Sequence, residues 1–117
     1  MLQLEMVIAS ETFKAGGTVV VNRFVSGGPS SATQTAAAAT ANGVAMQAAV
    51  LNDFFRVATL GVCLVEAGAA VAENALLDAD ASGRAVTHAA GVILGRARSA
   101  ATAAGQLIAV DLIKTSS

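Results

Sequence analysis

The chain has 117 residues with no Trp, no Tyr, one Cys, one Pro and one His, and only 13% of its residues are charged. Each scarcity excludes something. Cys63, the lone cysteine, closes no intramolecular disulfide. It lies in the apolar run Leu60-Gly61-Val62-Cys63-Leu64-Val65, where a thiol is a small buried hydrophobe rather than a nucleophile. Zinc needs three or four Cys, His or carboxylate ligands at close spacing, and one Cys and one His far apart do not supply them. A Ser-His-Asp or Cys-His arrangement must pass through His88; Thr87-His88-Ala89 reads as a strand end, and no Gly-x-Ser-x-Gly elbow is present. Seven Lys and Arg against eight Asp and Glu leave a net charge of −1. Arg84, Arg96 and Arg98 have no aromatic residues interleaved, so the stacking platform of a single-strand binder is missing and no direct nucleic-acid partner is expected. Residues 57–65 form the purest apolar stretch, about half the roughly 20 residues of a spanning helix, so no membrane is expected. The N-terminus carries Glu5 inside its first apolar stretch and no basic lead, which argues against a secretory signal.

What is present is apolar: 55% of the residues, at a mean hydropathy of +0.65. Much of that share is alanine. Burying a Leu or Phe side chain is worth about 1.5–3 kcal/mol and an alanine methyl nearer 0.8, while ordering the backbone costs about 1–2 kcal/mol per residue in either case. A chain with four Phe as its only aromatics therefore builds a thin core. The apolar surface left over is best covered by copies of the chain or by a partner, which predicts an obligate oligomer or a coat-bound subunit.

The chain also says one thing twice. Ala15-Gly16-Gly17-Thr18-Val19-Val20-Val21-Asn22 is echoed by Ala67-Gly68-Ala69-Ala70-Val71-Ala72-Glu73-Asn74, and Gly43-Val44 later by Gly91-Val92. The length fits one domain with one core. We expect an arm or first strand over residues 1–14 and a single β-rich domain over 15–117, built from half-repeats 15–66 and 67–113.

Period-2 patterning and β-branched clusters predict an all-β chain, a small barrel or sandwich with at most short helical turns. Strands are expected at 4–9, 18–25, 32–36, 43–48, 54–66, 71–77, 84–89, 92–97 and 106–113. Residues 18–25 are the clearest run, Ser26-Gly27-Gly28-Pro29 is a breaker, and Gly61 marks a bend within 54–66. The competing expectation is a pair of alanine-rich helices at 36–51 and 97–107.

Asp78-Ala79-Asp80-Ala81-Ser82-Gly83 imitates the start of an EF-hand loop, but position 12 is Ala89 where a bidentate Glu is needed. Asp78, Asp80, Ser82 and Gly83 are instead read as a structural turn whose short side chains bond to nearby amides. Gly16-Gly17 and Gly27-Gly28 lack the Gly-Lys-Ser/Thr ending of a phosphate loop. No catalytic, cofactor or metal residues are assigned, and no enzyme is expected.

The second half resembles the small capsid cement, or head decoration, proteins of tailed bacteriophages. The resemblance rests on Val65-Glu66-Ala67-Gly68, the turn Asp78-Ala79-Asp80-Ala81-Ser82-Gly83-Arg84, Gly91-Val92-Ile93-Leu94-Gly95-Arg96-Ala97, and the stretch from Ala100-Ala101 through Ala104-Gly105 to Leu107-Ile108. It covers residues 13–112 as a pattern; residues 26–42 depart from it, which leaves the strand pairing there open. It implies a virion protein on the outer capsid surface, a homotrimer that clamps neighbouring major capsid protein subunits. The alternatives are another virion component, in a head fibre or the tail, or a small ligand-binding oligomeric barrel. Candidate capsid or protomer contacts are Leu2, Leu4, Met6 and Ile8 of the N-terminal arm, which could add as a strand to a partner sheet, with Phe54 and Phe55.

Overall fold

The computed structural model describes residues 6–37, 39–89 and 91–113. Among these residues there are nine strands and no helix. They are β1 (Met6–Lys14), β2 (Phe24–Gly28), β3 (Ser31–Gln34), β4 (Gly43–Ala45), β5 (Phe54–Glu66), β6 (Leu76–Ala79), β7 (Ala85–Thr87), β8 (Gly95–Ala97) and β9 (Leu107–Leu112). All join one antiparallel sheet in the order β3-β2-β4-β5-β9-β8-β6-β7, with β1 paired to β5 off that path. The sheet curls into a half-barrel. The all-β expectation holds and the alanine-rich helices do not form. Alanine's helix propensity is overridden because Ala45, Ala49, Ala97 and Ala101 are buried where strands and loops close on one another.

Strand pairing repeats along the chain. Phe24 faces Val44 as Leu76 faces Arg96, each 52 residues further on. Val25 opposite Gln34 returns as Leu77 opposite Thr87, and Phe13 opposite Phe55 returns as Val65 opposite Ile108. Two five-strand units result, β1–β5 and β5–β9, and they share β5. The stretch of β5 from Phe54 to Val62 pairs with β1 and that from Val62 to Glu66 with β9, so Val62 pairs with both. Gly61, at φ 111, stands where the β1 register slips, close to the handover between the units. Although residues 26–42 differ most from the second unit in sequence, β2 and β3 pair in the same register as β6 and β7.

One core was expected; the buried apolar residues form two clusters. The smaller holds Phe13, Val19, Val25, Phe55 and Val57 with Ala15, Ala32, Ala45 and Ala49. Their counterparts, Val65, Val71, Leu77, Ile108 and Val110 with Ala67, Ala85, Ala97 and Ala101, all lie in the larger cluster. That cluster adds Phe24, Val44, Ala58, Cys63, Ala79 and Leu94, which seal the first unit against the second. Because successive residues of a strand face opposite sides, β5 feeds both clusters: Phe55 and Val57 face one, and Ala58 the other.

The sequence misplaced two features. Residues 18–23 and 71–75 are loops, and strands begin only at Phe24 and Leu76. Asn22 and Asn74 adopt positive φ (65° and 71°) and turn the chain, while Val19 and Val71 each make a single bridge and plug a core. A run of valines met the pattern of a strand, but the left-handed asparagine breaks it. The partner of Gly43 is Gly95 and not Gly91. A Cβ on Gly43 would lie 2.3 Å from the Ala58 carbonyl oxygen, and one on Gly95 would lie 2.8 Å from that of Asp111. Ala58 and Asp111 are themselves counterparts, opposite Val44 and Arg96.

Gly43→Ala is therefore expected to cost at least about 1–3 kcal/mol through forced backbone shifts. Gly28→Ala, where nothing lies within 4 Å, should stay within about 0.5 kcal/mol. Thermal melting of both variants checks this, and a Gly43→Ala protein that melts with the wild type sinks it.

Candidate functional site

Several polar side chains hold the two units in shape. Asp78 lies in β6, before the turn proper, and is 4% exposed. Its Oδ1 is 2.6 Å from His88 Nδ1, and its Oδ2 accepts the amides of Ala89 and Gly91, each at 3.1 Å. Burial pushes this carboxyl up, yet the hydrogen bonds from His88 and the two amides outweigh it and leave the group below its ordinary value. The first unit has the same brace in neutral form. Ser26 and Thr35, the counterparts of Asp78 and His88, share a 2.9 Å hydroxyl hydrogen bond, and Ser26 also donates to the Thr40 carbonyl. Both pairs anchor the loop that leads to the next strand, so Asp78 and His88 do the work of a brace.

Asp80 serves its own turn. Its Oδ1 accepts the amides of Ser82 (2.8 Å) and Arg84 (2.9 Å), and its Oδ2 meets Arg84 Nε at 3.0 Å. Gly83 takes φ 76° there, and its carbonyl accepts the Phe24 amide from the first unit. Glu66 at the end of β5 completes a clasp: Arg23 of the first unit reaches it at 3.2 Å and Arg84 of the second at 3.7 Å. These pairs are partly solvated, and each is worth about 1 kcal/mol or less. Their role is to fix how the two units meet. The residues read as one turn thus split between two tasks, Asp78 bracing a loop and Asp80, Ser82 and Gly83 forming the turn. A shallow recess beside Asn42, Gly43, Leu94 and Leu112 has room for about one water.

The arm and β5 residues picked out as contacts separate in the same way. Leu2 and Leu4 lie outside the described residues. Ile8 lies in β1 at the first register slip, between Val7 and Ala9. Met6 is 64% exposed and Phe54 70% exposed, whereas Phe55 is 1% exposed and packs edge-on against Phe13. Phe55 is a core residue and not a contact, because it follows Phe54 on a strand whose faces alternate. Sequence reasoning missed Val50 and Leu51, exposed at 58% and 61% on the turn before β5. The signal was available: two aliphatic side chains stand beside Asn52-Asp53 in a turn, where a polar pair is ordinary.

Residues buried at the junction of the units have polar counterparts. Val44 and Ala58, buried between the units, have Arg96 and Asp111 as counterparts at the far end of the second unit. Cys63 and Leu94, buried at the same junction, have Glu11 and Asn42 as counterparts in the first.

No protein-family model and no curated protein sequence matches this chain. The fold is similar to the crystal structure of the head fibre gp8.5 N base of bacteriophage phi29. The TM-score is 0.77 at 21% identity, over 90% of this chain and 93% of that one.

Proposed function

We propose that this chain is a structural protein of a tailed-phage virion, seated on the outer surface of the head and bound to the major capsid protein. The observation that carries the reading is the fold likeness to the base of a phage head fibre, which extends over nine-tenths of both chains. The use of Asp78, Asp80, Glu66, Arg23 and Arg84 as braces within and between the units accords with a structural role. The finer form of the proposal is a decoration protein that clamps neighbouring capsid subunits as a homotrimer; its support is the resemblance in the turn and in β8–β9. The second reading is the anchoring base of a head fibre, and the description of the phi29 protein favours that form.

Cryo-electron microscopy of intact particles tests the proposal. Density for this fold on the outer face of the shell, at threefold or local threefold positions for the trimer, is the expected result. Density on the tail, or no density on the particle, overturns it. A stable monomer at micromolar concentration in light scattering removes the trimer alone.

A further inference from the structure

The two units have matching backbones, so differences between equivalent surface positions show what one unit does that the other does not. The turn from β4 to β5 presents Val50, Leu51 and Phe54 to solvent. The counterparts in the second unit are Thr102, Ala103 and Leu107, two of them small and the third 40% exposed. Scaffold needs do not explain the difference, because both turns close by the same bonds. Val50 donates to the Asp53 carboxylate as Thr102 donates to the Gln106 side chain, and Asn52 and Gly105 donate to Ala15 and Ala67.

The charges beside the turn differ too. Lys14 stands directly opposite Phe54 in the β1–β5 pair, and Arg56 lies two residues along the same face. Their counterparts are Glu66 and Ala109. Asp53, whose carboxylate accepts the Val50 amide, adds one negative charge to the turn beside these two cations. An apolar knob flanked by two cations therefore exists at one end of the molecule and has no equivalent at the other.

A second copy of the chain is a poor occupant. Pairing the patch with itself would set Lys14 and Arg56 against the same cations across the symmetry axis.

We infer that Val50, Leu51 and Phe54, flanked by Lys14 and Arg56, form the docking knob of this protein, and that its occupant is an apolar socket with an acidic rim on the head shell. The inference rests on the virion reading and adds to it which end of the molecule faces the shell and by what chemistry.

The test is binding of the purified full-length chain to heads assembled without it. The double variant Leu51→Asp/Phe54→Asp is expected to keep the wild-type melting temperature within a few degrees and to bind at least about tenfold more weakly. The matched variant Ala103→Asp/Leu107→Asp is expected to bind as the wild type does. Lys14→Glu/Arg56→Glu should weaken binding at low salt, and the difference should shrink as salt screens it. Undiminished binding by Leu51→Asp/Phe54→Asp overturns the inference. So does a fall in its mass by light scattering relative to wild type, which would make a second copy the occupant. Wild-type chain that does not bind such heads overturns the virion reading itself, and this inference falls with it.

Discussion

Phe55→Ala is expected to remove about 3–5 kcal/mol of stability, a large part of the roughly 5–15 kcal/mol that holds an ordinary domain together. Phe55 is 1% exposed, and its ring meets Phe13 edge-on with centroids 6.5 Å apart. The rest of its cluster is valine and alanine. Small rigid neighbours cannot collapse into the space of a lost phenyl ring, so the cavity stays open and the cost approaches the upper end of that range. Phe54→Ala, one residue earlier on the exposed face, should cost under about 1 kcal/mol. Ile108→Ala, at the counterpart of Phe55, should cost about 2–5 kcal/mol because Ile108 fills the same place in the second unit. Urea denaturation of the three variants reads these values. A Phe55→Ala protein within 1.5 kcal/mol of wild type would mean that the first cluster is not a core.

Asp78→Ala should cost about 1–3 kcal/mol, the range for leaving buried donors without their acceptor, with His88, 29% exposed, regaining some water. The loss strands three donors at once: His88 Nδ1 and the amides of Ala89 and Gly91. It also has a pH signature. The folded-state pKa of Asp78 is lowered from the ordinary 3.8. Its stabilisation is therefore complete above about that value and is lost as the pH falls through the folded pKa. Asp78→Asn has no such titration. Wild-type stability should decline more steeply than that of the variant below about pH 4, as urea midpoints across an acid series would show. Parallel declines would mean that the Asp78 carboxylate is not a brace in the folded protein.

Much of this was legible in residue order. Strand β5 was readable at full length, because Phe55, Val57, Thr59, Cys63 and Val65 alternate with the more exposed Phe54, Arg56 and Leu60 over thirteen residues. The Asn52-Asp53 turn and the Asp80–Gly83 turn carried their own chemistry. Residues 18–25 misled for a physical reason: a valine that plugs a core from a loop and a valine in a strand satisfy the same pattern. Only the backbone position of Asn22 tells them apart. The match of Gly43 with Gly95 was likewise hidden, because what the two share is the carbonyl packed over each of them. The exposed knob was half visible, through Phe54, while Val50 and Leu51 were not picked out.

By itself, the sequence determined an all-β chain with a thin, alanine-filled interior and a doubled pattern, because strand periodicity, turn residues and side-chain volume are local properties. Only the tertiary structure decided that the doubled pattern makes two cores on one shared strand. It alone separated Phe55, sealed inside, from Phe54, left outside. Those outcomes depend on which face of a strand is covered by residues some fifty positions away, and that is set when the sheet curls and closes.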